Sequence, residues 1–128
     1  MKLLLDTHVL ICGAAEPERL SIAAVDLIED VGNELVFSAA SLWEIAIKTA
    51  RGRDDFRIDA ALVRQRLLEN GYAELPVTGA HAAAVAGLPP IHKDPFVRML
   101  VAQAAVERLT LVTADPLVAK YPCVVRLI

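Results

Sequence analysis

The chain has 128 residues, 55% of them hydrophobic and 23% charged, with a formal net charge of −3 at pH 7. That length and apolar content suit one packed domain over residues 1–128, and they exclude a disordered acidic chain and a basic nucleic-acid tail. A weakly acidic protein cannot hold a phosphate backbone by bulk positive potential, so any nucleic acid has to be gripped locally.

In chain order, residues 2–5 (KLLL) form a short apolar run that stops at Asp6, as a buried strand would. Residues 21–31 have helical period with Ser21 as N-cap, and a second strand, residues 34–37, follows the Gly32-Asn33 break. A helix is expected over 41–50, a loop over 51–57 (RGRDDFR), and a helix over 59–69 capped by Asp59. Residues 72–75 then supply a third strand after Asn70-Gly71, followed by helices over 78–86 and 95–108. The runs 110–113 (TLVT) and 123–127 (CVVRL), rich in β-branched residues, complete the set with only the short stretch 116–121 between them. Strands this apolar, alternating with helices, predict a three-layer α/β/α sandwich around a central parallel sheet of about five strands.

Cys12 and Cys123 stand near opposite ends and make no C-x-x-C pair, so they read as buried small apolar residues in a reducing cytosol. Leu3 to Leu5 is too short for the apolar region of a signal peptide, and no uncharged stretch of about 18 residues could cross a bilayer. A cytoplasmic protein without membrane contact is therefore expected.

The informative residues are acids at strand ends. Asp6 directly follows the first strand and Asp115 follows the fourth by one residue, which in a parallel sheet places both at the carboxyl edge, where open α/β folds bind ligands. Carboxylates that converge there repel unless a proton or cation neutralises them, and a hard divalent ion, Mg²⁺ or Mn²⁺, is the common solution. Each acid has a plainer reading as well. Asp6 and Asp115 can cap the helical turns that follow them, and Glu44 stands three residues after Ser41, which is capping-box spacing.

Four segments, LLLDTHVLI (3–11), SAASLWEIAIK (38–48), LPPIHKDPFVRMLVAQA (88–104) and LTLVTADP (109–116), together resemble in order and spacing the motifs of the PIN-domain family, in particular its VapC-type toxins from bacterial toxin–antitoxin pairs. The resemblance implies an α/β/α sandwich, an Mg²⁺- or Mn²⁺-dependent endoribonuclease acting through a metal-activated water, homodimerisation, and neutralisation by a small VapB-like antitoxin. It assigns Asp6, Glu44 and Asp115 to the metal and catalytic site. The match fails at one position. Where similar sequences read H-x-D-P-F-D-R, this chain has His92-Lys93-Asp94-Pro95-Phe96-Val97-Arg98, so Val97 takes the place of a carboxylate. Valine cannot coordinate a cation, so weaker metal binding and cleavage are expected. Asp94 is a possible poor substitute, but Asp before Pro is also a helix cap with a first-turn proline.

Around these acids, Thr7, Ser38 and Thr113 could hold a water or a phosphate oxygen, or serve as turn and capping hydroxyls. Lys48, Arg51, Arg53, Lys93 and Arg98 could ring the pocket and take RNA phosphates, or be solvated surface. His8 and His92 read as structural rather than as general acids, and Trp43 as a core or dimer contact. An antitoxin contact is expected on a helix groove near residues 42–68. A phosphorelay receiver would need paired acids after the first strand, and a dehalogenase-type phosphatase would need Asp-x-Asp where this chain has Asp6-Thr7-His8. The remaining rival is a catalytically silent fold that binds RNA or an antitoxin.

Overall fold

A computed structural model describes residues 1–52 and 57–128. Five strands, β1 (Lys2–Leu5), β2 (Glu34–Ser38), β3 (Ala73–Leu75), β4 (Thr110–Thr113) and β5 (Val125–Leu127), form one sheet in the order β3-β2-β1-β4-β5. Every neighbouring pair is parallel, with Leu3 facing Leu35 on one side and Thr110 on the other. Strand order reverses at β1, so the crevice between the carboxyl ends of β1 and β4 is the topological switch point.

Helices α1 (Thr7–Ala15), α2 (Ile22–Glu29), α3 (Ala39–Ala50), α4 (Ala60–Glu69), α5 (Gly79–Val85) and α6 (Pro95–Glu107) connect the strands, with short 3-10 turns at Pro17–Arg19 and Val118–Lys120. Side chains alternate across the sheet, so each strand feeds two cores. Leu3, Leu5, Phe37 and Val112 pack with Val9, Leu10, Ile45, Val63 and Leu67 on one face. Leu4, Val36 and Leu111 pack with Leu100, Val101, Ala104, Val118 and Tyr121 on the other. The sandwich expected from the strand–helix alternation is the one observed.

Several expectations need correction. The helix over residues 7–15 is not among the predicted elements, although Asp6 reads as a cap for a helical turn that follows it. The second strand runs one residue further, to Ser38, and passes straight into α3. Ser38 is therefore the N-cap, its Oγ accepting from the Ala40 N–H at 3.0 Å, and Ser41 lies inside the first turn. The Ser41-x-x-Glu44 pair is thus no capping box. Other caps are as expected: Ser21 accepts from Ala24 N–H, Asp59 from Ala61 and Leu62, and Asp94 from Phe96 with Pro95 opening α6. Cys12 is buried but Cys123 only half-buried, and both are free thiols. Among the described residues no helix is long and apolar enough to cross a membrane.

Candidate active site

A pocket of about 790 Å³ opens at the carboxyl edge of β1 and β4, lined among others by Asp6, Thr7, Glu44, Lys48, His92, Asp94, Val97 and Asp115. One hydroxyl ties the Asp6 carboxylate to the Asp115 backbone. Thr113, the last residue of β4 and fully buried, donates from Oγ1 to Asp6 Oδ2 at 2.6 Å and accepts from the Asp115 N–H at 3.1 Å. β4 carries this hydroxyl to β1 because the two strands pair in parallel register, and the Asp6 N–H closes the ladder on the Val112 carbonyl.

Capping and clustering prove compatible. Asp6 Oδ1 accepts from the His8 N–H at the start of α1, and Asp115 Oδ1 accepts from the Leu117 N–H, leaving each acid's second oxygen turned elsewhere. For Asp115 that oxygen meets His92. The Asp94 N–H donates to His92 Nδ1 at 3.1 Å, so the ring's proton lies on Nε2, 3.1 Å from Asp115 Oδ2. The sequence alone had discounted His92, and the HKDP turn is the signal that could have located it.

Glu44 is only 5% exposed and is carried inward by α3. One helical turn on, Lys48 Nζ lies 2.6 Å from Glu44 Oε2. Thr7 Oγ1 donates to Ser41 Oγ at 2.7 Å, which ties the start of α1 to the first turn of α3. Val97 faces the pocket, as its place in the motif anticipates, and also packs against the second core.

Other expectations shift. Arg98 is not available to phosphate, because its guanidinium donates to the carbonyls of Val85, Leu88 and Pro89 and to the Tyr121 hydroxyl. Ser38 spends its hydroxyl on capping α3. Arg51 and Lys93 are exposed but do not line the pocket, while Arg53 lies outside the described residues. Arg19, Arg57 and His8 do line it, with Glu16 held by Arg19 at 2.9 Å. Trp43 is no core residue: it is 65% exposed and meets Phe96 edge-to-face at 5.3 Å.

The pocket's chemistry bears on a metal ion. Among the described residues no three Asp, Glu, His or Cys side chains converge into a ready-made ligand group. Glu44 is engaged by Lys48, Asp115 by His92, and Val97 offers only methyl groups. The donor set is all oxygen at the strand ends, which suits a hard cation held by one or two carboxylates with water completing its shell, and does not suit a closed protein cage.

An open parallel sheet with an acidic pocket at its switch point defines a small α/β/α domain of the ligand-crevice type. The sequence matches the PIN domain family over residues 3–122, and the chain belongs to that family. It is 35% identical over 113 residues to Ribonuclease VapC22 of Mycobacterium tuberculosis (strain ATCC 25618 / H37Rv), covering 88% of this chain and 85% of that protein. Its fold is similar to a chain of VapBC2 from Rickettsia felis bound to a promoter DNA fragment, with TM-score 0.72, 12% identity, and coverage of 100% of this chain and 99% of that one. DNA-bound VapBC from Salmonella typhimurium gives TM-score 0.64 at 14% identity, covering 98% and 97% respectively. Structural likeness at such low identity speaks for the fold alone.

Proposed function

We propose that this chain is a metal-dependent endoribonuclease toxin of a VapBC-type pair, with metal binding weakened by Val97. The observation that carries the reading is the placement of Asp6, Glu44 and Asp115 in one pocket at the switch point, with Thr113 bonding the Asp6 carboxylate and the Asp115 backbone N–H. The family membership and the ribonuclease relative support the same chemistry.

A divalent ion, Mg²⁺ or Mn²⁺, would supply positive charge at the scissile phosphate and acidify a water. Asp6 and Asp115, which both line the pocket, are the residues that would hold it. Glu44 is the general base, and its buried position keeps its proton-accepting oxygen at a fixed point. Lys48, with its side chain 44% exposed beside Glu44, is placed to take a phosphate oxygen as substrate enters. His92 orients Asp115, in the way that groups behind a metal ligand commonly do. No covalent nucleophile is required.

For partners, the reading assigns RNA as substrate and a VapB-like antitoxin as inhibitor, in the cytoplasm. An apolar groove of about 440 Å³ between α1, α2 and α4, lined by Val9, Leu10, Leu20, Ile28, Val63 and Leu67, suits an antitoxin helix. It shares only the α4 wall with the 42–68 groove expected from sequence. The outward face of α3 carries Trp43, Ala46, Ile47 and Ala50 and suits a homodimer contact.

Incubation with folded RNA and Mn²⁺, with an EDTA control, tests the nuclease. Metal-dependent fragments that Asp6→Asn and Asp115→Asn abolish are the expected result, and intact RNA throughout would refute it. A silent binding module is the second reading, favoured by Val97 and by the engagement of Glu44 with Lys48. RNA retained but never cut would establish that alternative.

A further inference from the structure

A second polar assembly, behind the acids, centres on the Tyr121 phenol. Tyr121 follows the 3-10 turn Val118–Lys120 and is 3% exposed, packed on the sheet face that also holds Leu88, Ile91 and Val97. Its oxygen accepts twice, from the backbone N–H of His92 at 2.7 Å and from Arg98 Nη1 at 3.3 Å, which uses both acceptor positions of a hydroxyl.

Arg98 extends the grip. It donates from Nη1 to the Pro89 carbonyl at 3.0 Å, and from Nη2 to the Val85 carbonyl at 3.2 Å and the Leu88 carbonyl at 3.4 Å. Among the described residues no carboxylate pairs with it. Its charge is met by neutral oxygens at and beyond the last turn of α5, where backbone carbonyls are left without helical partners. Segment 85–92 is therefore fastened to α6 by Arg98 and to the C-terminal segment by Tyr121.

The consequence falls on His92. An imidazole on a loop has two neutral tautomers and can flip its ring, and only one arrangement presents an N–H to Asp115. Here the backbone nitrogen is fixed by Tyr121, Nδ1 is occupied by the Asp94 N–H, and Nε2 is left facing Asp115 Oδ2. We propose that Tyr121 and Arg98 are positioning residues, which hold His92 in the one orientation and tautomer that aims the Asp115 carboxylate into the pocket. This inference rests on the nuclease reading for its functional value, but its geometry can be tested without it.

The decisive variant is Tyr121→Phe, which keeps the packed ring and removes both acceptor positions. Two readouts are needed at one neutral pH: the ¹⁵N signals of the His92 ring, and cleavage of bulk transfer RNA with Mn²⁺. In the parent chain the ring signals should report a single Nε2–H tautomer. In Tyr121→Phe they should move toward an average of the two forms, and kcat should fall about tenfold or more with KM moving less than about twofold. In a His92→Ala background the same substitution should lower kcat no further, because its route of action is gone. An unchanged ring spectrum in Tyr121→Phe would overturn the proposal, and so would an equal loss of kcat in the His92→Ala background. If the parent chain cuts no RNA, the nuclease reading fails and the ring spectra alone decide the positioning role. Should Tyr121→Phe not fold, Arg98→Lys provides the same spectral test, since lysine keeps the charge but cannot span three carbonyls and a phenol.

Discussion

Replacing Thr113 by valine removes one oxygen and nothing else of consequence to shape, at a fully buried position. Two interactions go with it. The hydrogen bond to Asp6 Oδ2 at 2.6 Å is lost, which for a partly exposed carboxylate is worth about 1–2 kcal/mol. The Asp115 N–H, which donates to Thr113 Oγ1 at 3.1 Å, loses its acceptor at a further cost of about 1–2 kcal/mol. A buried methyl in place of the hydroxyl returns no more than about 0.8 kcal/mol. The expected net destabilisation is therefore about 1–3 kcal/mol, which for a domain of this size lowers Tm by roughly 4–12 °C. Calorimetry on the parent, Thr113→Val and Thr113→Ser measures it, with serine keeping most of the stability because its hydroxyl can reach both partners. A Tm within about 2 °C of the parent for Thr113→Val, or an equal loss for serine and valine, would refute the claim that this hydroxyl ties the Asp6 carboxylate to the Asp115 backbone.

Two further outcomes follow from the same structure. Val97→Asp should raise Mn²⁺ affinity about tenfold or more in isothermal titration, because it restores an oxygen donor to the pocket, although it gives up apolar packing against the second core; equal affinities would show that the missing carboxylate is immaterial. Glu74 on β3 is held below its ordinary carboxylate range by its paired hydrogen bonds with Arg64. A folded-state pKa below the unfolded one gives stability that is present above the unfolded value near 4.5 and lost as pH falls through the folded value. Urea midpoints of the parent and Glu74→Gln should accordingly differ at pH 7 and converge in acid, and a pH-independent gap would contradict the pairing.

The sheet was legible because its strands are short apolar runs cut off by turn residues, and β4 matches its expected limits residue for residue. Helix α1 was harder to see. Its THVLICGAA segment is apolar on most sides, with Thr7, Val9, Leu10 and Cys12 all buried, so no polar face marks a period. The start of α3 was misplaced because Ser38 and Ser41 are both good caps, and only the direct run of strand into helix selects the first. At the site, the convergence of Asp6 and Asp115 could be anticipated from strand ends. What could not be read is where long side chains turn. Arg98 folds back onto carbonyls, Lys48 finds Glu44, and His92 reaches Asp115 across 23 positions of sequence, all choices that tertiary packing makes.

The Thr113–Asp6 link spans 107 positions, and β1 lies between β2 and β4 in the sheet. During synthesis the first strand-end acid thus leaves the ribosome long before the hydroxyl that aligns it. A nascent chain stalled ahead of β4 would have α1 and α3 but no assembled pocket, and early proteolytic fragments from the amino-terminal side would be equally inert. Any hazard this protein poses to the cell that makes it is therefore deferred until β4 has emerged, which leaves time for a partner already in place to meet the chain.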